Sequence, residues 1–127
     1  MSLDVWLQGP TYTTTCTCTD CGNSHMRETA DVHFERNITH SLNLMAKAAD
    51  IYLLLWHPDD PTLNITTAAQ MIQPLQAGLA RLRASPEKYT RFNAANGWGM
   101  YENLVNFVRT YLAACEKYPD AFVKVSR

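Results

Sequence analysis

A chain of 127 residues with a formal net charge of −1 is long enough to bury the core of one domain, and its charge balance gives no global attraction to nucleic acid or to an anionic membrane. Hydrophobic residues make up 46% of the chain and charged residues 18%, which excludes a disordered or fibrous composition. We therefore expect a single globular domain spanning residues 1–127.

The sequence predicts neither a membrane anchor nor an export signal. The longest apolar run, Ile51–Trp56, is far too short to cross a bilayer. The first residues, Met1–Trp6, lack the basic region followed by an apolar region that marks a secretory signal. We therefore expect a cytoplasmic protein with reduced cysteines and no membrane partner.

The first part of the chain, residues 1–36, is predicted to be rich in β-structure. Leu3, Val5 and Leu7 alternate with less apolar positions, which is the period of a half-buried strand. Threonine-rich residues 12–19 favour an extended chain, and the alternation returns over residues 29–36. These segments predict a small, irregular N-terminal sheet folded around a cluster of cysteines.

The second part, residues 37–118, shows helical periodicity. Pro74 is expected to kink the middle helix, and Pro86 to begin a further short helical turn. Residues 119–127 alternate again and are predicted to return to the N-terminal sheet as a closing strand. The order of strands, helices and strand predicts an α+β fold. Its three main helices are expected over residues 37–57, 66–85 and 101–118.

Three of the four cysteines lie close together with one histidine, as Cys16, Cys18, Cys21 and His25. Cys18 and Cys21, followed by Gly22, have the local pattern of a zinc knuckle. In that pattern two thiolates reach one ion and the glycine lets the backbone turn around it. We predict that the four clustered side chains hold a structural Zn²⁺.

Several alternatives to this zinc site stay open. His33 or His40 would serve as the histidine ligand in place of the nearer one. The thiols would otherwise be free, or two of them would form a disulfide. A metal-dependent enzyme would need an open coordination position and a nearby base. A nucleic-acid-binding zinc module is a weaker hypothesis, because the chain shows no basic cluster interleaved with aromatic residues.

A polar segment containing Asn37, Thr39 and His40 lies where the predicted strand gives way to the first helix. Backbone N–H groups at such a junction favour anions, so these three residues are candidates for binding a phosphate or a carboxylate. The simpler interpretation, which we favour, is that Asn37 and Thr39 cap the helix.

A second polar segment surrounds a tryptophan between two glycines. Asn96, Trp98 and Tyr101 would together present an aromatic plate above a helix N-terminus, where a base or sugar would stack. The favoured alternative is that the glycines let the chain turn while Trp98 packs into the core. No nucleophile elbow, phosphate-binding loop or dinucleotide fingerprint is present, so catalysis is not favoured.

Three motifs resemble a group of small uncharacterised proteins encoded by bacteriophages and prophages. They are NITHSLN at 37–43, NGWGMYE at 96–102 and the stretch from Ala113 to the final VSR. The likeness covers most of the chain from about Cys18 onward and departs at Ser41, where the group more often has asparagine. It implies an accessory phage protein in the bacterial cytoplasm, and it implies no reaction.

These features predict a binding protein that inhibits a host protein, such as a defence factor, or that sequesters a small ligand. Nucleic acid is not the expected partner, given the charge balance of the chain. Association with further copies of the chain stays open.

Overall fold

The computed structural model describes residues 2–17, 24–93 and 99–127. Within these ranges it is an α+β fold with a C-terminal strand that joins the N-terminal sheet, as the sequence predicts. The strands are β1 (Ser2–Gln8), β2 (Tyr12–Thr17), β3 (Ser24–Thr29), β4 (Val32–Thr39) and β5 (Phe122–Ser126). The helices are α1 (Asn43–Ala48), α2 (Tyr52–Trp56), α3 (Ala69–Ala84), α4 (Pro86–Thr90) and α5 (Tyr101–Lys117).

The main sheet has three antiparallel strands in the order β4-β1-β5. Its central strand, β1, fully buries Leu3, Val5 and Leu7, and the residues between them are half-buried. Leu3 lies opposite Ile38 of β4, and Leu7 lies opposite Val123 of β5. One face of the sheet therefore packs against the helices, and α5 contacts β4.

The second sheet is the antiparallel hairpin of β2 and β3, in which Tyr12 lies opposite Thr29. The sequence does not predict β3, because Ser24–Thr29 contains a single large apolar residue, Met26, and so shows no hydrophobic period. The strand predicted over residues 29–36 instead begins at Val32 and continues to Thr39, past the predicted start of the helical part.

The first predicted helix, over residues 37–57, is wrong in its continuity. A 3₁₀ turn covers His40–Leu42, and α1 and α2 follow as separate short helices. Asp50 adopts a left-handed conformation with φ of 61°, which ends α1. The apolar period does not reveal the break, because Met45, Leu54 and Leu55 are buried on both sides of it.

The longer helices α3 and α5 pack against each other and complete the core. Pro74 lies inside α3 and Pro86 is the first residue of α4, at the positions the sequence predicts. The segment before α3 is tied to the segment before β5, since Ala68 N–H donates to the carbonyl of Ala121 at 2.8 Å. The chain end is held as well, because the Arg127 side chain donates to the backbone carbonyl of the buried Trp56.

Candidate functional site

Asn37 lies near the end of β4 and is exposed. It does not cap a helix, because β4 continues through it and its side-chain Nδ2 donates to Asp4 Oδ1 across the β1–β4 pair at 2.7 Å. Thr39 is the cap instead: its backbone is extended, and its Oγ1 accepts the N–H of Ser41 at 3.3 Å. Thr39 therefore caps the 3₁₀ turn that precedes α1, and the predicted capping role is wrong for Asn37.

His40 directly follows Thr39, at the start of the 3₁₀ turn. Its half-buried ring meets the Trp56 ring edge-on, with 6.1 Å between the ring centroids. The His40 Nε2 atom is shielded from solvent and has no hydrogen-bond partner among the described residues. This imidazole packs against the core at the strand-to-helix junction.

Tyr101 opens α5 and connects it to its neighbours. Its backbone N–H donates to Asn93 Oδ1 at 2.7 Å, and its hydroxyl donates to the carbonyl of Leu82 in α3 at 2.7 Å. Its ring lies parallel to that of Tyr89, and burial raises the pKa of its phenol. Asn96 and Trp98, the other predicted residues of this segment, lie outside the described residues.

The structure brings the two predicted polar segments together at one pocket, which we call the junction pocket. It lies between the end of β4 and the first turns of α5, and its volume is about 260 Å³. Gly99 forms part of its wall with φ of +98°, and a Cβ there would lie 2.9 Å from Ser41 Cβ. The pocket is lined by Arg36, Asn37, Ile38, Thr39, Leu42, Gly99, Asn103 and Asn106.

Hydrogen bonds around the junction pocket fix which way its amides face. Asn103 Oδ1 accepts the backbone N–H of Met100 at 3.1 Å, and Asn106 Oδ1 accepts from Arg109 Nη2 at 2.6 Å. Since a backbone N–H and a guanidinium can only donate, both amide oxygens are assigned and both Nδ2 groups are left as donors. Neither Nδ2 donates to another described residue.

The pocket is therefore richer in donors than in acceptors. Its donors are the two amide Nδ2 groups and the exposed Arg36 guanidinium, with the positive end of the α5 dipole beside them. Asn37 contributes the opposite polarity. Its Nδ2 donates to Asp4, and its Oδ1 accepts no hydrogen bond from another described residue. This arrangement suits a carboxylate or another group with several acceptor oxygens.

Arg36, Asn103 and Asn106 are not among the residues that the sequence predicts for this site. Exposed polar residues on a strand and on a helix look like ordinary solvated positions. The one available signal is the spacing of Asn103 and Asn106, which puts two amides on the same face of α5.

Two of the four predicted zinc ligands, Cys16 and His25, lie within the described residues. The register of the β2–β3 hairpin pairs Cys16 directly with His25. Cys18 and Cys21 lie outside the described residues, so the knuckle itself is not described. Within residues 2–17, 24–93 and 99–127, no group of three or more potential ligands is close enough to hold a metal ion.

Cys115, the fourth cysteine, is separate from the cluster and buried in α5. Burial raises the pKa of its thiol to about 12. A raised thiol pKa disfavours the reactive thiolate at neutral pH.

No family model, curated protein or solved structure matches this chain. None of the helices in the described ranges is long and apolar enough to cross a membrane.

Proposed function

We propose that this protein is a binding protein rather than an enzyme, and that the junction pocket is where it contacts its partner. The observation that carries the proposal is the orientation of Asn103 and Asn106, whose oxygens are both engaged while both Nδ2 donors remain. With Arg36 beside them, these groups would hold an acidic side chain or a chain-terminal carboxylate of the partner by charge-assisted hydrogen bonds.

The size of the pocket supports a protein partner over a free small molecule. Pockets for small molecules are commonly about 300–1,000 Å³. The junction pocket, at about 260 Å³, falls below that range and suits a single side chain presented by a larger surface. The exposed Asn37, Asn103 and Asn106 would then lie at the contact.

The partner we propose is a host protein in the cytoplasm of a phage-infected bacterium, which the chain would inhibit by binding. This part of the proposal rests on the resemblance of the Asn37–Asn43 and Asn96–Glu102 motifs to phage-encoded proteins. The motifs support it further because they lie on either side of the junction pocket: Asn37 and Thr39 come from the first, and Gly99 from the second.

The test is affinity capture from bacterial cells with single-residue variants. Asn106→Ala and Arg36→Ala each remove a donor from an exposed side chain, while Gln76→Ala and Arg83→Ala remove the same groups from the exposed face of α3. A hydrogen bond to a charged group contributes about 1.5–3 kcal/mol, so each pocket variant should weaken binding by about tenfold or more. Both α3 variants should retain the partner.

A direct probe of the pocket makes the test independent of the partner's identity. Acetate, titrated at constant ionic strength, should shift the side-chain NH₂ signals of Asn103 and Asn106 in ¹H–¹⁵N NMR spectra. If acetate left those signals in place, or if all four variants captured the same proteins equally, the proposal would be overturned.

A structural zinc is a second element of the proposal. The pairing of Cys16 with His25 supports it, because these two positions flank the segment that carries Cys18 and Cys21. Native mass spectrometry should find zinc in the wild type and in the Cys115→Ala control, and should find none in Cys18→Ser or Cys21→Ser. A folded wild-type chain without metal would exclude the zinc.

A further inference from the structure

A second concave surface shares no residue with the junction pocket. We call it the α1–α3 groove, because it runs between the turn that joins α1 to α2 and the outer face of α3. Its volume is about 470 Å³. It is lined by Lys47, Asp50, Tyr52, Leu53, Leu54, Leu63, Pro74, Ala77 and Arg81.

One wall of the groove is a fixed turn. The N–H of Ile51 donates to the carbonyl of Ala46 at 2.9 Å, and the N–H of Asp50 donates to that of Lys47 at 3.1 Å. With Asp50 in the left-handed conformation, these bonds form the Schellman motif that ends many helices. Ile51 then packs against Gly78 of α3, so the wall is held at a short distance from that helix.

The cations of the groove are also held in place. Arg81 Nε donates to the carbonyl of Ala49 at 2.7 Å, which positions the guanidinium while its Nη groups donate to no other described residue. Lys47 Nζ lies 4.6 Å from the centre of the Tyr52 ring. Against these two cations the groove lining holds one carboxylate, that of Asp50, so the lining carries a net positive charge.

The rest of the lining is mostly apolar, and two of its leucines are accessible to solvent. Leu53 and Leu63 are 42% and 36% exposed, although both are large aliphatic side chains. Apolar walls with a few fixed polar groups, in a volume of several hundred Å³, are the features of small-molecule sites. A prepositioned guanidinium with free Nη groups suits a carboxylate, which it can hold by two parallel hydrogen bonds.

We infer that the α1–α3 groove binds a small organic carboxylate, a molecule with an apolar body that covers Leu53 and Leu63 and a carboxylate that meets Arg81. The charge complementarity and the volume favour this occupant. The inference does not depend on the function proposed for the junction pocket.

The probe is 4-phenylbutyrate, compared with the neutral 4-phenylbutanol, by ¹H–¹⁵N NMR titration of the full chain. The acid should perturb residues 49–54 and 77–81 in a saturable way. Because a charged hydrogen-bonded pair contributes about 1.5–3 kcal/mol, the alcohol should bind about tenfold more weakly or worse. Acetate lacks the apolar body, so it should leave the groove unperturbed, which separates this result from the junction-pocket test.

Two variants and one control complete the experiment. Ala77→Leu adds bulk to the groove from an exposed position without replacing Arg81 and should abolish binding, while Ala80→Leu, exposed on the same helix and outside the groove lining, should bind as the wild type does. Arg81→Gln should bind acid and alcohol equally. The inference is overturned if the acid leaves the groove unperturbed, if wild-type protein binds acid and alcohol equally, or if Ala77→Leu binds normally.

Discussion

Gly78 lies where α3 approaches the turn between α1 and α2 most closely. A Cβ built at position 78 would overlap Ile51 Cγ2. Ile51 is 1% exposed, and its Cγ2 is attached directly to a β-branched carbon. This methyl group therefore cannot move aside without rotating the whole side chain within the core.

The effect of Gly78→Ala is the difference between two opposing contributions. Alanine is favoured over glycine in a helix interior by about 1 kcal/mol. Inserting an extra carbon into a packed core typically costs about 1–3 kcal/mol. We expect the second to exceed the first, with a net loss of roughly 1 kcal/mol and a fall in Tm of roughly 4 °C.

Urea and thermal unfolding followed by circular dichroism measure this difference, with Ala80→Gly as the control for helix propensity at an exposed site of α3. A double-mutant cycle with Ile51→Ala isolates the contact itself. In the double variant, the alanine methyl at position 78 would occupy space vacated by the isoleucine. Its free energy of unfolding should therefore be higher, by about 1–3 kcal/mol, than the sum of the two single-variant effects predicts. An additive cycle, or a Gly78→Ala variant that gains the full helix-propensity energy, would refute the reasoning.

Three further predictions concern single side chains. Tyr111→Phe should raise the free energy of unfolding by about 1 kcal/mol, because the buried hydroxyl has no hydrogen-bond partner among the described residues. Tyr101→Phe should lower it by about the same amount, because the Tyr101 hydroxyl donates to the carbonyl of Leu82. Equal urea midpoints for the two variants would contradict this. Asp50→Gly should stabilise the chain by about 0.5–1 kcal/mol, since glycine adopts positive φ without strain, and an unchanged Tm would count against it. The hydroxyl and N–H of Thr62 lower the pKa of Asp60, so that carboxylate stabilises the fold above its unfolded-state pKa, and this contribution is lost as pH falls through the folded-state pKa. Thr62→Val should raise the pKa of Asp60 in a ¹³C NMR titration and shrink that contribution; an unmoved pKa would exclude the hydroxyl as its cause.

The fold was predictable wherever one face of an element is buried and the other is not. β1 alternates because Leu3, Val5 and Leu7 are fully buried. β5 alternates because its own Val123 is buried opposite Leu7 of β1. Hydrophobic periodicity responds to that asymmetry and to little else. Periodicity did not predict β3, whose residues are mostly polar. It also predicted one continuous helix across Asp50, because one left-handed residue does not change which neighbours are apolar.

The candidate site was predictable only in part, since periodicity and local motifs describe neighbours in the chain. Thr39 was identified as a cap from its position before a helical segment, and it caps the 3₁₀ turn that precedes α1. Asn103 and Asn106 were missed because their significance lies in which amide atoms are already engaged. The groups that donate to these amide oxygens belong to Met100 and Arg109, and only the three-dimensional structure of α5 identifies them.

The meeting of the two polar segments is a property of the tertiary fold, because no local pattern relates the end of β4 to the start of α5. Gly99 is the residue that permits it. Its φ of +98° disfavours other residues, and a Cβ there would crowd Ser41, so both the local conformation and the close approach require glycine. A sequence shows that a glycine is present without showing which of these demands it meets. Here it meets both, and the missing side chain is what lets Asn103 and Asn106 share a pocket with Thr39.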